Sequence, residues 1–240
     1  MLYSASAAIG RADHTRDSRP LHTQLALTSE TRRVPVHRFR LPVQGLAVEV
    51  VDLSYERVLH DALEDADLVV NGGFWGWVDA GRRTLIGLVS AGGRELSPLR
   101  HALDGGVLAL HEGKARITAS RGYRGPRGSQ PVTLALQCRP RLLVDGALVN
   151  KLDTRGHAAR TAVCVRDAGA TLDVYATDPR TLGPTLAELG QFLLAQGCEQ
   201  ALNLDGGPST AAAFREQGEV VRIGAGRELP YALRFRIARE

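Results

Sequence analysis

Asn203-Leu204-Asp205-Gly206-Gly207-Pro208-Ser209-Thr210-Ala211-Ala212-Ala213 is the stretch whose reading decides the fold. Upstream of it, Thr185-Leu186-Ala187-Glu188 has the form of a capping box, in which a threonine hydroxyl accepts the N3 backbone N–H while the glutamate reaches back to the cap. Leu186, Leu189 and Leu193, with Phe192 beside them, then recur at helical spacing, and Gly197 supplies a left-handed stop. The order is helix, short turn, strand and glycine-rich turn. Asp205 is therefore expected at the carboxyl end of a buried strand, where α/β sites open. The turn itself reads in two ways. In one, Gly206 and Gly207 let the backbone approach a ligand, and Ser209 or Thr210 caps a short helix whose N–H groups face an anion beside Asp205. In the other, it is a tight turn in which Asp205 caps its own backbone.

Working outward, the chain from Val34 onward is a succession of short apolar runs bounded by glycine or charge, the pattern of strands and tight connections. Strands are predicted near 46–53, 67–71, 85–89, 106–111, 115–119, 132–138, 141–145, 160–166, 171–176, 200–204, 219–223 and 231–237. Residues 122–131, GYRGPRGSQP, have no apolar pattern and read as a loop in the position of a lid. Residues 1–33 are polar and without periodicity, an N-terminal arm that is mobile or draped on the surface. The fold class expected is α/β (mixed α+β). It is a single domain over 34–240, built as a many-stranded twisted mixed sheet covered by a few helices.

Composition narrows the function classes. The 240 residues, 44% hydrophobic and 23% charged, match a folded soluble domain and exclude disorder, collagen and coiled coil. The longest apolar runs fall far short of the ~20 residues of a membrane helix, so no membrane span is expected. The N-terminal MLYSASAAIGRADHTRDSRP shows neither a basic n-region nor a continuous apolar h-region. No signal peptide is evident in it, and the compartment is left open: cytoplasmic, or exported with the leader missing from the sequence. The net charge of +4 rests on 30 basic residues, of which only Lys114 and Lys151 are lysines. Guanidinium favours fixed carboxylate or phosphate partners. The arginines are scattered singly or in pairs among only 5% aromatics, which argues for anionic ligands and against nucleic acid. Arginine-rich, alanine-rich usage is that of a GC-rich genome. Cys138, Cys164 and Cys198 form no CxxC pair and cannot all pair within the chain; in their apolar neighbourhoods they read as small buried thiols. No metal or cofactor site is expected.

Two further segments carry candidate chemistry. Leu68-Val69-Val70-Asn71-Gly72-Gly73-Phe74-Trp75 ends an apolar run in an Asn-Gly-Gly turn. It reads either as a hairpin with two aromatics packed inside or as a site in which Asn71 offers its amide to a sugar and Trp75 or Trp77 stacks on a sugar face. In His157-Ala158-Ala159-Arg160-Thr161-Ala162-Val163, Arg160 enters an apolar strand at the sheet's rim. It is either a surface arginine or a bidentate phosphate clamp. His157 is either a solvated loop residue or an acid–base group.

Together these segments resemble the phosphodiester glycosidase family, which includes the lysosomal enzyme that removes N-acetylglucosamine from a phosphodiester to uncover mannose 6-phosphate. The similarity runs over roughly 46–237. Asn71-Gly72-Gly73-Phe74-Trp75 is similar to the family's Asn-Gly-Gly-Phe-Phe, and Arg160-Thr161-Ala162-Val163 to its Arg-Thr-Ala-Ile. Gly183-Pro184-Thr185-Leu186-Ala187-Glu188-Leu189 is similar to the helix start preceding its Leu-Asp-Gly-Gly-Gly-Ser-Ser, here Leu204 to Thr210. Looser matches are Leu143-Val144-Asp145-Gly146 and Thr177-Asp178-Pro179-Arg180. The chain departs from the pattern at Pro179, at Cys164 and at Pro208, which replaces the third glycine and removes one N–H from an anion nest.

The resemblance implies a bacterial hydrolase that cleaves the bond between a sugar's anomeric carbon and a phosphodiester, without a cofactor. Its partner would be a phosphorylated glycan or other sugar-1-phosphodiester. Asp205, Arg160 and Asn71 would carry catalysis, with Gly72, Gly73, Trp75, His157, Asp178, Gly206, Gly207, Ser209 and Thr210 lining the substrate. Related bacterial proteins are often exported. The competing expectation is a non-catalytic carbohydrate- or phosphate-binding module on the same scaffold. A metal-dependent phosphodiesterase built on Asp205, Asp178 and His157 has no His-x-x-x-His or Asp-x-Asp arrangement to support it.

Overall fold

Short β-rich runs punctuated by glycine leave little of the chain to helix, and the structure follows that punctuation. It is a computed structural model that describes residues 21–29, 32–79, 82–125 and 132–238. In chain order it contains β1 (His22–Ser29), β2 (Arg32–Pro42), β3 (Leu46–Asp52), a 3-10 turn (Leu59–Leu63), β4 (Leu68–Asn71), β5 (Trp75–Asp79), β6 (Arg82–Leu85), β7 (Val89–Ala91) and β8 (Arg94–Ser97). There follow β9 (Gly106–His111), β10 (Lys114–Ala119), β11 (Leu134–Cys138), β12 (Arg141–Val144), β13 (Ala147–Leu148), β14 (Thr161–Arg166), a 3-10 turn (Asp167–Gly169) and β15 (Thr171–Thr177). The chain closes with α1 (Leu186–Ala195), β16 (Gln200–Asn203), a 3-10 turn (Gly207–Ser209), β17 (Ala212–Glu216), β18 (Glu219–Ile223) and β19 (Tyr231–Ile237).

The strands form a seven-stranded sheet β1-β2-β15-β14-β16-β12-β13, two five-stranded sheets β10-β9-β11-β7-β8 and β18-β17-β4-β19-β3, and the ribbon β5-β6. Every ladder among the described residues is antiparallel. With 49% strand and 10% helix, the protein is mostly β. The expectation of an α/β fold with a mixed sheet under several helices is corrected to curled antiparallel sheets with one α-helix. Seven hairpins among the described residues, such as β1-β2, β9-β10 and β14-β15, account for part of this, because a short turn permits only antiparallel return.

Strands near the middle are buried on both faces, which explains their continuous apolar runs. Val163 and Val165 of β14 point into a central core shared by the three large sheets, with Phe39, Leu108, Leu136 and Phe214. Ala162 and Cys164 of the same strand face outward under Leu189 and Leu193 of α1. On the far side, Val69 of β4 and Ala213 of β17 are covered by Leu59, Ala62 and Leu63.

Helix α1 forms as its sequence predicts. Glu188 N–H donates to Thr185 Oγ1 at 3.1 Å and Thr185 N–H to Glu188 Oε2 at 2.8 Å, and Gly197 takes φ +79° just beyond the end. Three other expectations give way. No helix follows Ser209 and Thr210: Ala212–Glu216 is β17, because pairing with β4 overrides alanine's helix preference. The Asn71-Gly72 step is not a hairpin; the chain turns back only between β5 and β6. Within the stretch expected as a polar arm, His22–Ser29 is β1 and pairs along its length with β2, while residues 1–20 lie outside the described residues. The expected loop at 122–131 is described only through Gly125.

The expectation of three free thiols is also corrected. Cys164 and Cys198 form a disulfide with Cα atoms 5.6 Å apart, within the usual span, and only Cys138 is a free, buried thiol. The outward face of β14 and the end of α1 bring two cysteines distant in sequence into the same apolar layer.

Candidate functional site

The site grows from one buried side chain. Asn71 ends β4 and is 1% exposed, so each of its polar atoms needs a partner. Its Oδ1 accepts from Thr161 Oγ1 at 2.7 Å and from Ala211 N–H at 3.2 Å. Its Nδ2 donates to Asp205 O at 2.9 Å and to Gly72 O at 3.2 Å. Both acceptor positions and both donors of the amide are thus engaged. Asn71 ties the end of β4 to the start of β14 and to the turn after β16, and it holds no N–H to spare for a sugar.

The glycines beside it permit close approach. A Cβ on Gly72 would stand 2.1 Å from Tyr231 Cε2, so no other residue fits against that ring. Gly73 N–H donates to Tyr231 Oη at 2.7 Å. Trp75 lies outside this knot, in β5. There it meets Tyr55 edge-on at 5.2 Å, and the Arg83 guanidinium sits over Tyr55, Trp75 and the exposed Trp77.

Asp205 stands at the expected strand end and is half-buried. Burial pushes its carboxyl above the ordinary carboxylate range, against the opposing pull of hydrogen bonds from the Ser209 side chain and Gly206 N–H. Gly206 N–H lies 2.9 Å from Asp205 Oδ1. Gly207 N–H donates to Ala159 O at 2.7 Å, and the amides of Ser209 and Thr210 bond to Gly206 O and Gly207 O. The turn's N–H groups are therefore satisfied internally and point at no open anion cradle, and Pro208 has none to give. Thr210 is fully buried, its hydroxyl without a hydrogen-bond partner.

Arg160 precedes β14 beside this turn. Its Nε donates to Pro184 O at 3.2 Å and its Nη2 to Gly156 O at 2.5 Å, while its own N–H bonds to Thr177 Oγ1 at 2.8 Å. Burial lowers the guanidinium's pKa, partly opposed by Asp153. No carboxylate among the described residues lies within ion-pair distance of it, and its Nη1 edge makes no hydrogen bond there. Asp178 follows β15 on the same rim. It is clamped by Arg180, with Oδ2 2.6 Å from Nη2 and Oδ1 3.0 Å from Nε, a pairing that holds its carboxyl below the ordinary range.

His157 faces away from Asp205, toward α1. Its Nδ1 lies 2.7 Å from Arg32 Nη1 and 3.2 Å from Gly183 O. Since a guanidinium can only donate, the shorter contact makes Nδ1 the acceptor and leaves the proton on Nε2. Arg32 in turn binds Glu188 at 2.6 Å. Among the described residues, no group of three or more His, Cys, Asp or Glu side chains is placed to hold a metal ion, and no helix is long and apolar enough to cross a membrane.

Thr161, Tyr231 and the Ala159 carbonyl join the site without having been singled out from sequence. A threonine opening an apolar run and a tyrosine at the head of β19 are the available signals, since each carries a polar atom that must find a partner once buried.

Comparison with known proteins supports a phosphodiester glycosidase scaffold. Residues 64–236 match the family model described as phosphodiester glycosidase, and the chain belongs to that family. No curated protein matches it by sequence. Among solved structures it is similar to the catalytic domain of zebrafish N-acetylglucosamine-1-phosphodiester alpha-N-acetylglucosaminidase, auto-inhibited by its pro-peptide. That match has TM-score 0.69 and 15% identity over 92% of this chain and 85% of that one. A hypothetical protein from Synechocystis matches with TM-score 0.65 and 15% identity over 90% of this chain, which spans 62% of the Synechocystis chain, less than two thirds of its length. A putative exported protein from Burkholderia pseudomallei matches with TM-score 0.61 and 14% identity, over 85% of this chain and 74% of that one. At these identities the structural likeness is one of fold.

Proposed function

We propose that the protein hydrolyses the bond between a sugar's anomeric carbon and a phosphodiester oxygen. The observation that carries this reading is the Asn71 knot, which draws the Asp205 turn and the Arg160 strand entry to one rim; family membership adds to it. Water's oxygen bonds to the anomeric carbon as the carbon–oxygen bond breaks, and the electron pair leaves with the phosphate monoester. Because that group departs readily, the main demands are charge stabilisation and removal of the water's proton. Asp205 takes the proton, a task suited to a carboxyl whose affinity for protons burial has increased. Arg160 presents its Nη1 edge to the phosphate, and Ser209 orients Asp205. Asn71 acts as a positioning residue. Gly72 and Gly73 let the backbone close against Tyr231 and so fix the strand end beside Asp205.

The test is release of free sugar from an N-acetylglucosamine-1-phosphate diester by wild type, Asp205→Asn, Arg160→Ala and Arg160→Lys. All three variants are expected to be impaired, the lysine because an ammonium cannot reproduce a planar fork. Full activity in Asp205→Asn or Arg160→Ala refutes the assignment. A second reading, a non-catalytic carbohydrate- or phosphate-binding module, is favoured by the internally bonded amides of Gly206 and Gly207. Calorimetry with a phosphorylated sugar beside the turnover assay separates the two, since binding without product supports the module.

A further inference from the structure

A cleft of about 950 Å³ lies away from the Asn71 knot, on the outer face of the sheet β10-β9-β11-β7-β8. Strand β10 builds its floor. Ala115 and Ile117 point into the central core, so Lys114, Arg116 and Thr118 alternate onto the opposite face. The turn that follows supplies Arg121, Tyr123 and Arg124 as a side wall. Against these four permanent cations the lining offers one carboxylate, Glu112. Arg121 approaches Asp104 at 3.7 Å with both side chains largely exposed, which neutralises little. Lys114, Arg116 and Arg124 have no carboxylate within ion-pair distance among the described residues. One floor and one wall residue add a second observation: Thr118 Oγ1 and Tyr123 Oη are shielded from solvent and have no hydrogen-bond partner. A shielded hydroxyl without a partner carries a standing cost, which a ligand oxygen relieves once the side chain turns toward the cleft.

We infer that this cleft binds phosphate groups, those of a poly-phosphodiester glycan. The choice of glycan rests on the function proposed above; the phosphate chemistry rests on the cleft alone. Guanidinium groups unpaired with carboxylates match phosphate oxygens bidentately. Single-stranded nucleic acid is the poorer occupant, because its binding sites offer aromatic faces to successive bases. Of the two rings here, Tyr123 packs with Leu88, Leu99 and Val132, and His111 stands 3.8 Å from Glu112.

The experiment uses the full chain and, as probe, a short glycerol-phosphate oligomer in calorimetry, with a single-stranded oligonucleotide of equal charge as the rival. Wild type is expected to bind the oligomer, more weakly as salt rises. Binding should fall about tenfold or more in Lys114→Ala/Arg116→Ala, while the double variant keeps wild-type turnover of a small monomeric sugar-1-phosphodiester. Equal oligomer affinity in wild type and double variant overturns the inference, as does an oligonucleotide bound as tightly as the oligomer. Should the alanine pair disturb folding, Lys114→Gln/Arg116→Gln removes the charges with less loss of side chain and is judged by the same criterion. A wild type that binds the oligomer through the cleft yet turns over no substrate refutes the hydrolase reading and leaves the cleft standing.

Discussion

Removing the Asn71 amide should cost stability before it costs chemistry. Asn71→Ala strands the Ala211 N–H and the Asp205 carbonyl, whose partner is this side chain, and leaves the Thr161 hydroxyl to find another. Each buried group deprived of its hydrogen bond costs about 1–3 kcal/mol. Two such groups give about 4 kcal/mol, a large part of the ~5–15 kcal/mol by which a domain is stable. With a urea slope near ~3 kcal/mol/M for a chain this size, the unfolding midpoint should move down by about 1.3 M. Thr161→Val, which removes one of the two donors to Oδ1, should cost about 1 kcal/mol, and the double variant should cost less than the sum because the two share a bond. Equilibrium unfolding followed by tryptophan fluorescence reads all three. An Asn71→Ala protein that unfolds within about 0.2 M of wild type and has lost turnover would show that the amide serves the ligand, and the staple argument fails.

Burial raises the Asp205 carboxyl above its ordinary value of 3.8, so the folded chain binds more protons than the unfolded one between that value and the raised one, and stability falls as pH climbs through this interval. Asp205→Asn escapes the penalty; its urea midpoint should exceed wild type at neutral pH and converge with it below about pH 4, and a lower midpoint at neutral pH contradicts the burial argument. The Cys164–Cys198 bond spans 34 residues, so Cys198→Ser should lose about 4 kcal/mol on the loop-entropy model; a reductant added to wild type should lower its melting temperature similarly, and insensitivity to both would contradict the bridge. Gly72→Ala drives a methyl into the Tyr231 ring and should cost about 3 kcal/mol, whereas a thermal melt superimposable on wild type would deny that contact.

What the sequence disclosed divides along the range of the forces involved. Helix α1 was readable because its signals are local at each end: Thr185 and Glu188 act within its first turn and Gly197 just past its last. Asp205 was readable as a strand end because an apolar run followed by two glycines admits few alternatives. Strand β1 was not, since Leu25 and Leu27 alternate too briefly among polar residues, and only the β2 partner makes them a strand. The destination of the Asn71 hydrogen bonds was hidden for the same reason. Asn71 spending its amide on Asp205 O, Ala211 N–H and Thr161 depends on segments 90 to 140 residues apart, whereas Gly206 N–H turning onto its neighbour Asp205 is the local cap that one reading of the turn offered. The cysteine pair was hidden too, because α1 had to lie across β14 before Cys198 could meet Cys164.

The two-sided burial of β14 has a consequence for how such a protein can diversify. With valines locked into one layer and Ala162 and Cys164 into another, this strand has no silent face on which substitutions can accumulate. Novelty must enter through the connection that leads into it, residues 149–160, and the one that leaves its partner β15, residues 178–185, whose carbonyls at Gly156 and Pro184 grip Arg160. A descendant acquiring a different ligand is expected to keep the strand letters nearly intact and rewrite those two connections, and a loop exchange between homologues is the direct route to new selectivity.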